Sequence, residues 1–205
     1  CKQAADDALK LFATNEKIKN ALRKSASYEQ SISPATLETN SIYIYIPDEK
    51  LKIYGDLLRI ITAQSMEYFS SRPPENKQTI LFCLDEFASF GKLQIVESLR
   101  KLRKRRIRIL VLTQSVSDVD MIYGKDERIA MLGNFKFTVI LGCKDTETQE
   151  YFSKMIGEKR SLLATDPNQK RQPIIKPADL AHLEQDLFVI CDDGAIRLKK
   201  NFYFK

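Results

Sequence analysis

Asp85 and Glu86 stand side by side where an apolar run ends, in ILFCLDEFASFGKL, residues 80 to 93. Two adjacent carboxylates in such a place repel one another and lose solvation unless a cation or a reacting proton offsets the cost. One chemistry uses both. Asp85 can hold the Mg²⁺ of a nucleotide, directly or through water, while Glu86 orients and polarises the water that attacks the γ-phosphate. An apolar strand closed by D-E has the pattern of a Walker B motif; it is equally what two solvated acids at a strand end look like. The next apolar run, IRILVLTQS, ends in Thr113 and Gln114. If the two strands are neighbours, a neutral amide lies beside the acidic pair, able to sense the γ-phosphate or position the lytic water without adding charge. Arg103 lies eleven residues before Gln114. A cation there can project across a subunit boundary and stabilise transition-state charge on a neighbour's nucleotide, as an arginine finger does. The plain alternative is a surface arginine on a basic helix end.

The elements around these residues follow from hydrophobic period. Residues 2 to 30 carry apolar positions at helical spacing (Ala5, Leu9, Phe12, Ile18, Leu22) and predict one or two amphipathic helices. SISPATLETN is a breaker-rich loop, and SIYIYIP is a short β-rich run closed by Pro47. Helical spacing returns over residues 50 to 70. Then TILFCLD, IRILVLTQ and FKFTVILG read as apolar strands alternating with helical stretches, KLQIVESLRKLRK, SVSDVDMIYGKDERIAMLG and DTETQEYFSKMIG, the last N-capped by Asp145. Strands apolar on both faces that alternate with helices signal a mostly parallel α/β sheet with helices on both faces. SLLATDPNQKRQPIIKP reads as an exposed, mobile loop. A short helix near 178 to 184 and strands near 187 to 191 and 200 to 204 complete the chain, with Asp192, Asp193 and Gly194 as a hairpin turn.

Composition bounds the function. The 205 residues, 43% hydrophobic and 29% charged, suffice for one packed domain with a small appendage. The longest apolar runs are strand-length, short of the roughly 20 residues that a bilayer-spanning helix needs. Cys1, Cys83, Cys143 and Cys191 form no C-x-x-C pair and read as reduced, buried thiols in a cytosolic setting. His182 is the only histidine, which argues against a histidine metal site or a Ser-His-Asp triad. The net charge is +6, and RKLRKRRIR, residues 100 to 108, holds seven basic residues of nine. That run fits a solvated helix end, a nucleic-acid backbone contact or a cation aimed at a phosphate, and the sequence leaves all three open.

LFCLDEFASFGKL, then LRKLRKRRIRILVLTQSVSDVDMIYGKDERIAMLGNFKFTVILGCKDTETQEYFSKMIG, closely resembles the conjugative coupling proteins of type IV secretion systems, the TraG/TraD family. The likeness runs from about residue 42 to the end. L-D-E-F with G-K-L is similar to their Walker B segment, T-Q-S to their sensor strand, and I-Y-G and L-G-N to landmarks between strands. The tail QPIIKPADLAHLEQDLFVICDDGAIRLKKNFYF is similar as well. The resemblance implies a RecA-like P-loop motor ATPase related to the FtsK and HerA translocases. Such proteins form hexameric rings on the cytoplasmic face of the inner membrane, bind DNA, and pass relaxase or other nucleoprotein substrates to the secretion channel. It implies ATP and Mg²⁺ as cofactors, Asp85 and Glu86 in Mg-ATP hydrolysis, Gln114 as sensor and Arg103 as a candidate trans-acting finger. It further implies that residues 1 to 40 are the remnant of an all-helical insertion and residues 41 to 205 the C-terminal part of the nucleotide-binding domain.

One part of that pattern is missing. A motor needs G-x-x-x-x-G-K-[ST], whose amides and lysine hold the β and γ phosphates. The G-K pairs here, Gly91-Lys92 and Gly124-Lys125, lack the flanking residues. The Walker A strand and a membrane anchor are therefore expected upstream of Cys1, and these residues alone are not expected to hydrolyse ATP. The competing expectation is a non-catalytic module that docks DNA, relaxase or a secreted protein.

Overall fold

The fold is seen in a computed structural model that describes residues 10, 12–23, 32–76, 78–160 and 171–203. Helix α1, Glu16–Leu22, starts where Asn15 turns its side-chain oxygen onto the Lys17 and Ile18 N–H groups, giving orphan donors of the first turn a partner. The rest of the helical pattern over residues 2 to 30 falls largely outside the described residues. SISPATLETN is not irregular throughout: Pro34–Glu38 winds into a 3-10 turn, with Pro34 at its first position, where its missing N–H costs nothing.

SIYIYIP forms no strand. Tyr43 and Tyr45 are 92% and 86% exposed. Their alternation with isoleucine suits a pleated surface, but β-propensity acts only through a partner strand, and none pairs with this segment among the described residues. Helix α2, Asp48–Ser70, follows as its spacing predicts.

The centre of the fold is a βαβ unit. Strand β1, Ile80–Leu84, leads through a 3-10 turn, Phe87–Phe90, and helix α3, Ile95–Arg103, to strand β2, Ile107–Val111. The two strands pair in parallel, Ile80 opposite Ile107 and Leu84 opposite Val111. Ile80, Leu84 and Ile107 face a core with Phe69 of α2, Phe87, Ile95 and Leu102. Leu81, Cys83 and Leu110 point to the other face and are exposed, so the described residues leave open a face that the apolar pattern predicts to be covered by helices, and Cys83 is not the buried thiol its setting suggests.

Helical spacing over residues 115 to 133 resolves into two helices, α4, Val116–Tyr123, and α5, Lys125–Leu132, because Gly124 takes φ +78° between them. Strand β3, Thr138–Ile140, departs from the mostly parallel expectation. It pairs antiparallel with β6, Asp186–Cys191, which pairs antiparallel with β7, Gly194–Lys199. The turn Asp192-Asp193 joins β6 and β7 in a two-residue hairpin, so the last strand begins at Gly194 and not at residue 200. That hairpin supplies the edge β3 uses, and of the pairings among the described residues only β1–β2 is parallel.

Helix α6, Thr146–Ile156, is capped by Asp145 as expected. Strands β4, Glu158–Arg160, and β5, Arg171–Pro173, pair on either side of residues 161–170, so SLLATDPNQKRQPIIKP is partly a ribbon; its middle lies outside the described residues. A 3-10 turn, Pro177–His182, precedes β6 and carries His182 on its exposed side.

A second core gathers Ile140, Cys143, Ile156, Leu180 and Phe188. Polar ties join it to the first. The Val116 N–H donates to Thr148 Oγ1 at 3.0 Å, Ser117 Oγ donates to Asp145 Oδ1 at 3.1 Å, and Arg128 pairs with Asp120 and lies over the Tyr151 ring at 4.3 Å. Arg72, buried just after α2, grips both oxygens of Glu38 and donates to the carbonyls of Gln78 and Arg105, pinning three segments at one guanidinium.

Candidate active site

Parallel pairing carries the chain to one end of the sheet twice. Beyond Leu84 and Val111 the ladder runs one step further: the Leu112 N–H donates to Leu84 O at 3.0 Å and the Phe87 N–H to Leu112 O at 2.8 Å. Between these bonds the first strand must turn, and it turns at Asp85 and Glu86. Glu86 takes φ 50° and ψ 51°, the left-handed region, unusual for a residue with a long side chain. The Asp85 carboxylate accepts from the Glu86 N–H at 3.0 Å, and the Glu86 carbonyl accepts from the Ser89 N–H at 2.8 Å, opening the 3-10 turn. Phe87, fully buried, anchors the first residue of that turn in the core.

That geometry sends the Glu86 side chain toward the second strand. Gln114 Nε2 donates to Glu86 Oε1 at 3.1 Å and Oε2 at 3.2 Å, across 28 residues of sequence. Gln114 is fixed in turn because Ser115 caps α4: its hydroxyl oxygen accepts from the Asp118 N–H at 3.0 Å and donates to Asp118 Oδ2 at 2.7 Å. Asp85 and Gln114 are exposed and Glu86 is half-buried, so the group faces solvent at the carboxyl ends of parallel strands, where open α/β sheets bind their ligands.

The donor set suits a hard cation in part. Among the described residues no three His, Cys, Asp or Glu side chains converge as a metal cage. Two carboxylates alone match the way Mg²⁺ is held, by one or two protein oxygens with waters and phosphates filling the octahedron. Neither Asp85 nor Glu86 has an ion-pair partner among the described residues, so the pair is free to meet a cation.

Arg103 is not brought to this group. It ends α3, which returns from the acidic end of the sheet to the start of β2, and it is exposed beside Arg100, Lys104 and Asn134. From Ile107 to Gln114 an extended chain rises about 20 Å. Arg103 therefore cannot serve the acidic pair of its own chain; any such role is toward another copy.

Tyr123 belongs to the site's framework and was singled out by no sequence motif except as the centre of I-Y-G. Its ring stacks on Phe87 with centroids 5.4 Å apart at 9°, its hydroxyl donates to Gly91 O at 3.2 Å, and the Leu93 N–H donates to it at 3.1 Å. Burial raises its pKa, so it remains a neutral donor and acceptor at physiological pH. Gly55 of α2 is the other hidden participant: a Cβ there would sit 2.9 Å from Ser89 O.

Comparison with known proteins agrees with this frame. The family profile described as "TraM recognition site of TraD and TraG" matches residues 79–185, just over half of the chain. Protein VirD4 of Agrobacterium fabrum (strain C58 / ATCC 33970) is 24% identical over 181 residues, covering 80% of this chain and 27% of that protein. Conjugal transfer protein TraG of the same organism is 24% identical over 169 residues, covering 75% and 26%. The chain thus spans about a quarter of the length of these relatives. Among solved structures, plasmid coupling protein TrwB in complex with ADP and Mg²⁺ superposes with a TM-score of 0.68 at 24% identity, covering 82% of this chain and 43% of that one. TrwB in complex with the ATP analogue ADPNP gives 0.61 at 27% identity, covering 74% and 39%. No described helix is long and apolar enough to cross a membrane. The profile runs through the acidic strand, the glutamine strand and α6, and the chain belongs to the TraG and TraD family of conjugative coupling proteins.

Proposed function

We propose that these residues are the C-terminal part of a RecA-like motor domain, and that the full-length protein hydrolyses ATP to move DNA or nucleoprotein toward a type IV secretion channel in conjugation. One observation carries the reading: Glu86 and Gln114, at the carboxyl ends of adjacent parallel strands, are joined through the amide with the carboxylate oxygens turned to solvent. Asp85 holds the ion, directly or through water, and Glu86 accepts a hydrogen bond from the attacking water and draws its proton density. Bound Mg²⁺ would neutralise charge developing on the phosphates. Gln114 keeps Glu86 aimed while it is free, and can release that bond to meet the γ-phosphate. Arg103 completes a neighbouring copy's site in a ring, which we take to be hexameric.

The reading requires a phosphate-binding loop, which these residues do not contain, and so it concerns the full-length protein. Relatives that bind ADP with Mg²⁺ and ADPNP support the cofactors. We assign residues 1 to 40 to an all-helical insertion, residues 41 to 205 to the motor domain, and the protein to the cytoplasmic face of the inner membrane. Relaxase and channel components are its expected partners. The family's description names recognition of TraM, which favours a docking role for the same region beside the motor.

The test is DNA-stimulated ATP hydrolysis by the full-length protein and its Glu86→Gln variant. The amide keeps the shape and removes the charge. Turnover should vanish while nucleotide binding persists; unchanged turnover sinks the motor reading and leaves the docking role alone.

A further inference from the structure

Glu86 holds a backbone conformation that its own residue type does not favour, so something outside it must impose that conformation. Local hydrogen bonds supply part: the Phe87 N–H to Leu112 O and the Ser89 N–H to Glu86 O. These bonds fix the chain on the strand side. On its far side the 3-10 turn Phe87–Phe90 meets α2, whose Gly55 lies against Ser89 O, and one side chain of α4. Tyr123 stacks its ring on Phe87, the residue directly after Glu86, and its hydroxyl bridges Gly91 and Leu93 beyond the turn. A single buried tyrosine therefore clamps both ends of the segment that aims Glu86.

The same helix sets the other partner. Helix α4 begins at Val116, its cap is Ser115, and the residue before the cap is Gln114. It ends at Tyr123. Eight residues of α-helix make a rod about 12 Å long that changes length little under load. One end places the Gln114 amide and the other end holds Phe87 and the segment behind Glu86. The ladder bonds at Leu112 set the spacing of the strands that carry Glu86 and Gln114, and α4 braces it, with Tyr123 the point at which the brace meets the acidic strand.

From this geometry we infer that Tyr123 is a positioning residue for hydrolysis, acting through Phe87 and the Gly91–Leu93 backbone to keep the Glu86 carboxylate on the attacking water. The inference rests on the proposed role of Glu86. Tyr123 acts on the nucleotide only through these intermediaries, so its loss should slow the chemical step and leave nucleotide affinity alone.

The experiment compares the full-length wild type with Tyr123→Phe, Tyr123→Leu and Glu86→Gln, measuring kcat and KM for DNA-stimulated ATP hydrolysis and the number of fluorescent ADP molecules bound per chain. Tyr123→Phe keeps the stack and loses both hydrogen bonds of the hydroxyl bridge; kcat should fall at least about five-fold, the scale of a single lost buried hydrogen bond, with KM within about two-fold of wild type. Tyr123→Leu loses both contacts and should fall further. If Tyr123→Leu does not fold, Tyr123→Phe decides. A Tyr123→Phe enzyme with wild-type kcat per bound nucleotide, or with a raised KM and unchanged kcat, overturns the inference. Turnover retained by Glu86→Gln sinks the hydrolytic reading itself; an inert Glu86→Gln beside a fully active Tyr123→Phe sinks the tyrosine alone.

Discussion

Replacing Gly55 with alanine should fail to stabilise the protein, against what helix propensity demands. Gly55 sits inside α2, where alanine ordinarily gains about 1 kcal/mol over glycine. Here the added Cβ would lie 2.9 Å from the Ser89 carbonyl oxygen, a separation that real Cβ atoms essentially never show. The obstacle is backbone, so no side-chain rotation relieves it, and either α2 or the turn behind Glu86 must retreat by a few tenths of an ångström. Overpacking of this kind costs about 1–3 kcal/mol. The balance is a loss of about 0 to 2 kcal/mol, or a change in Tm between none and a fall of about 8 °C for a domain of this size. Movement of Ser89 also pulls on the Glu86 carbonyl that accepts its N–H, and through it on a Gln114 contact already at 3.1–3.2 Å. Gly133→Ala is the matched control: its φ is −66° and its Cβ would meet Ile129 O at 3.4 Å, an ordinary contact, so it should gain about 0.4–1 kcal/mol. Thermal unfolding followed by circular dichroism, with ATP hydrolysis of the full-length protein alongside, reads both. A Tm for Gly55→Ala raised by as much as that of Gly133→Ala, with turnover intact, would refute the close-approach argument.

Arg72→Met preserves the apolar length of the side chain and removes four hydrogen bonds, leaving the Gln78 and Arg105 carbonyls without that donor. Because Glu38 keeps some access to water, the loss should be about 3 kcal/mol, read from the urea midpoint, and a loss under about 1 kcal/mol would show the anchor to be dispensable. Asp145 gives a pH-dependent case. Burial alone would raise its pKa, but hydrogen bonds from Thr148 and Ser117 outweigh it and hold the carboxyl below its usual value. A depressed folded pKa stabilises the fold above the unfolded value near 3.9, and that stability is lost as pH falls through the folded one. Asp145→Ala should therefore cost about 1 kcal/mol at pH 7 and progressively less below about pH 4, whereas an equal cost at both would assign the loss to packing.

The acidic strand and the glutamine strand were readable because each is a continuous apolar run bounded by polar residues, even though Leu81 and Leu110 leave one face of the pair exposed; their adjacency, conditional in the sequence, is supplied by the βαβ unit. Asp145 was readable for a local reason: a cap is a matter of three residues. SIYIYIP misled for the opposite reason, since β-branched and aromatic residues announce a surface fit to pair and say nothing of whether an edge lies within reach. The direction of β3 was hidden too, because it depends on a hairpin far along the chain. Arg72 and Tyr123 could not be found from type alone. A lone arginine and a helix-terminal tyrosine are common surface residues, and only the fold brings Glu38, Gln78 and Arg105 to one and Phe87, Gly91 and Leu93 to the other.

The left-handed backbone at Glu86 bears on how such a sequence can be improved. Asparagine or glycine would rest there more easily, by roughly 1 kcal/mol or more, so a search for the most stable sequence on this backbone would replace that residue early. It would return a sturdier protein with the carboxylate gone. At this position stability and the proposed chemistry rank the amino acids in different orders, and a stabilised variant needs residue 86 held fixed while the gain is sought elsewhere.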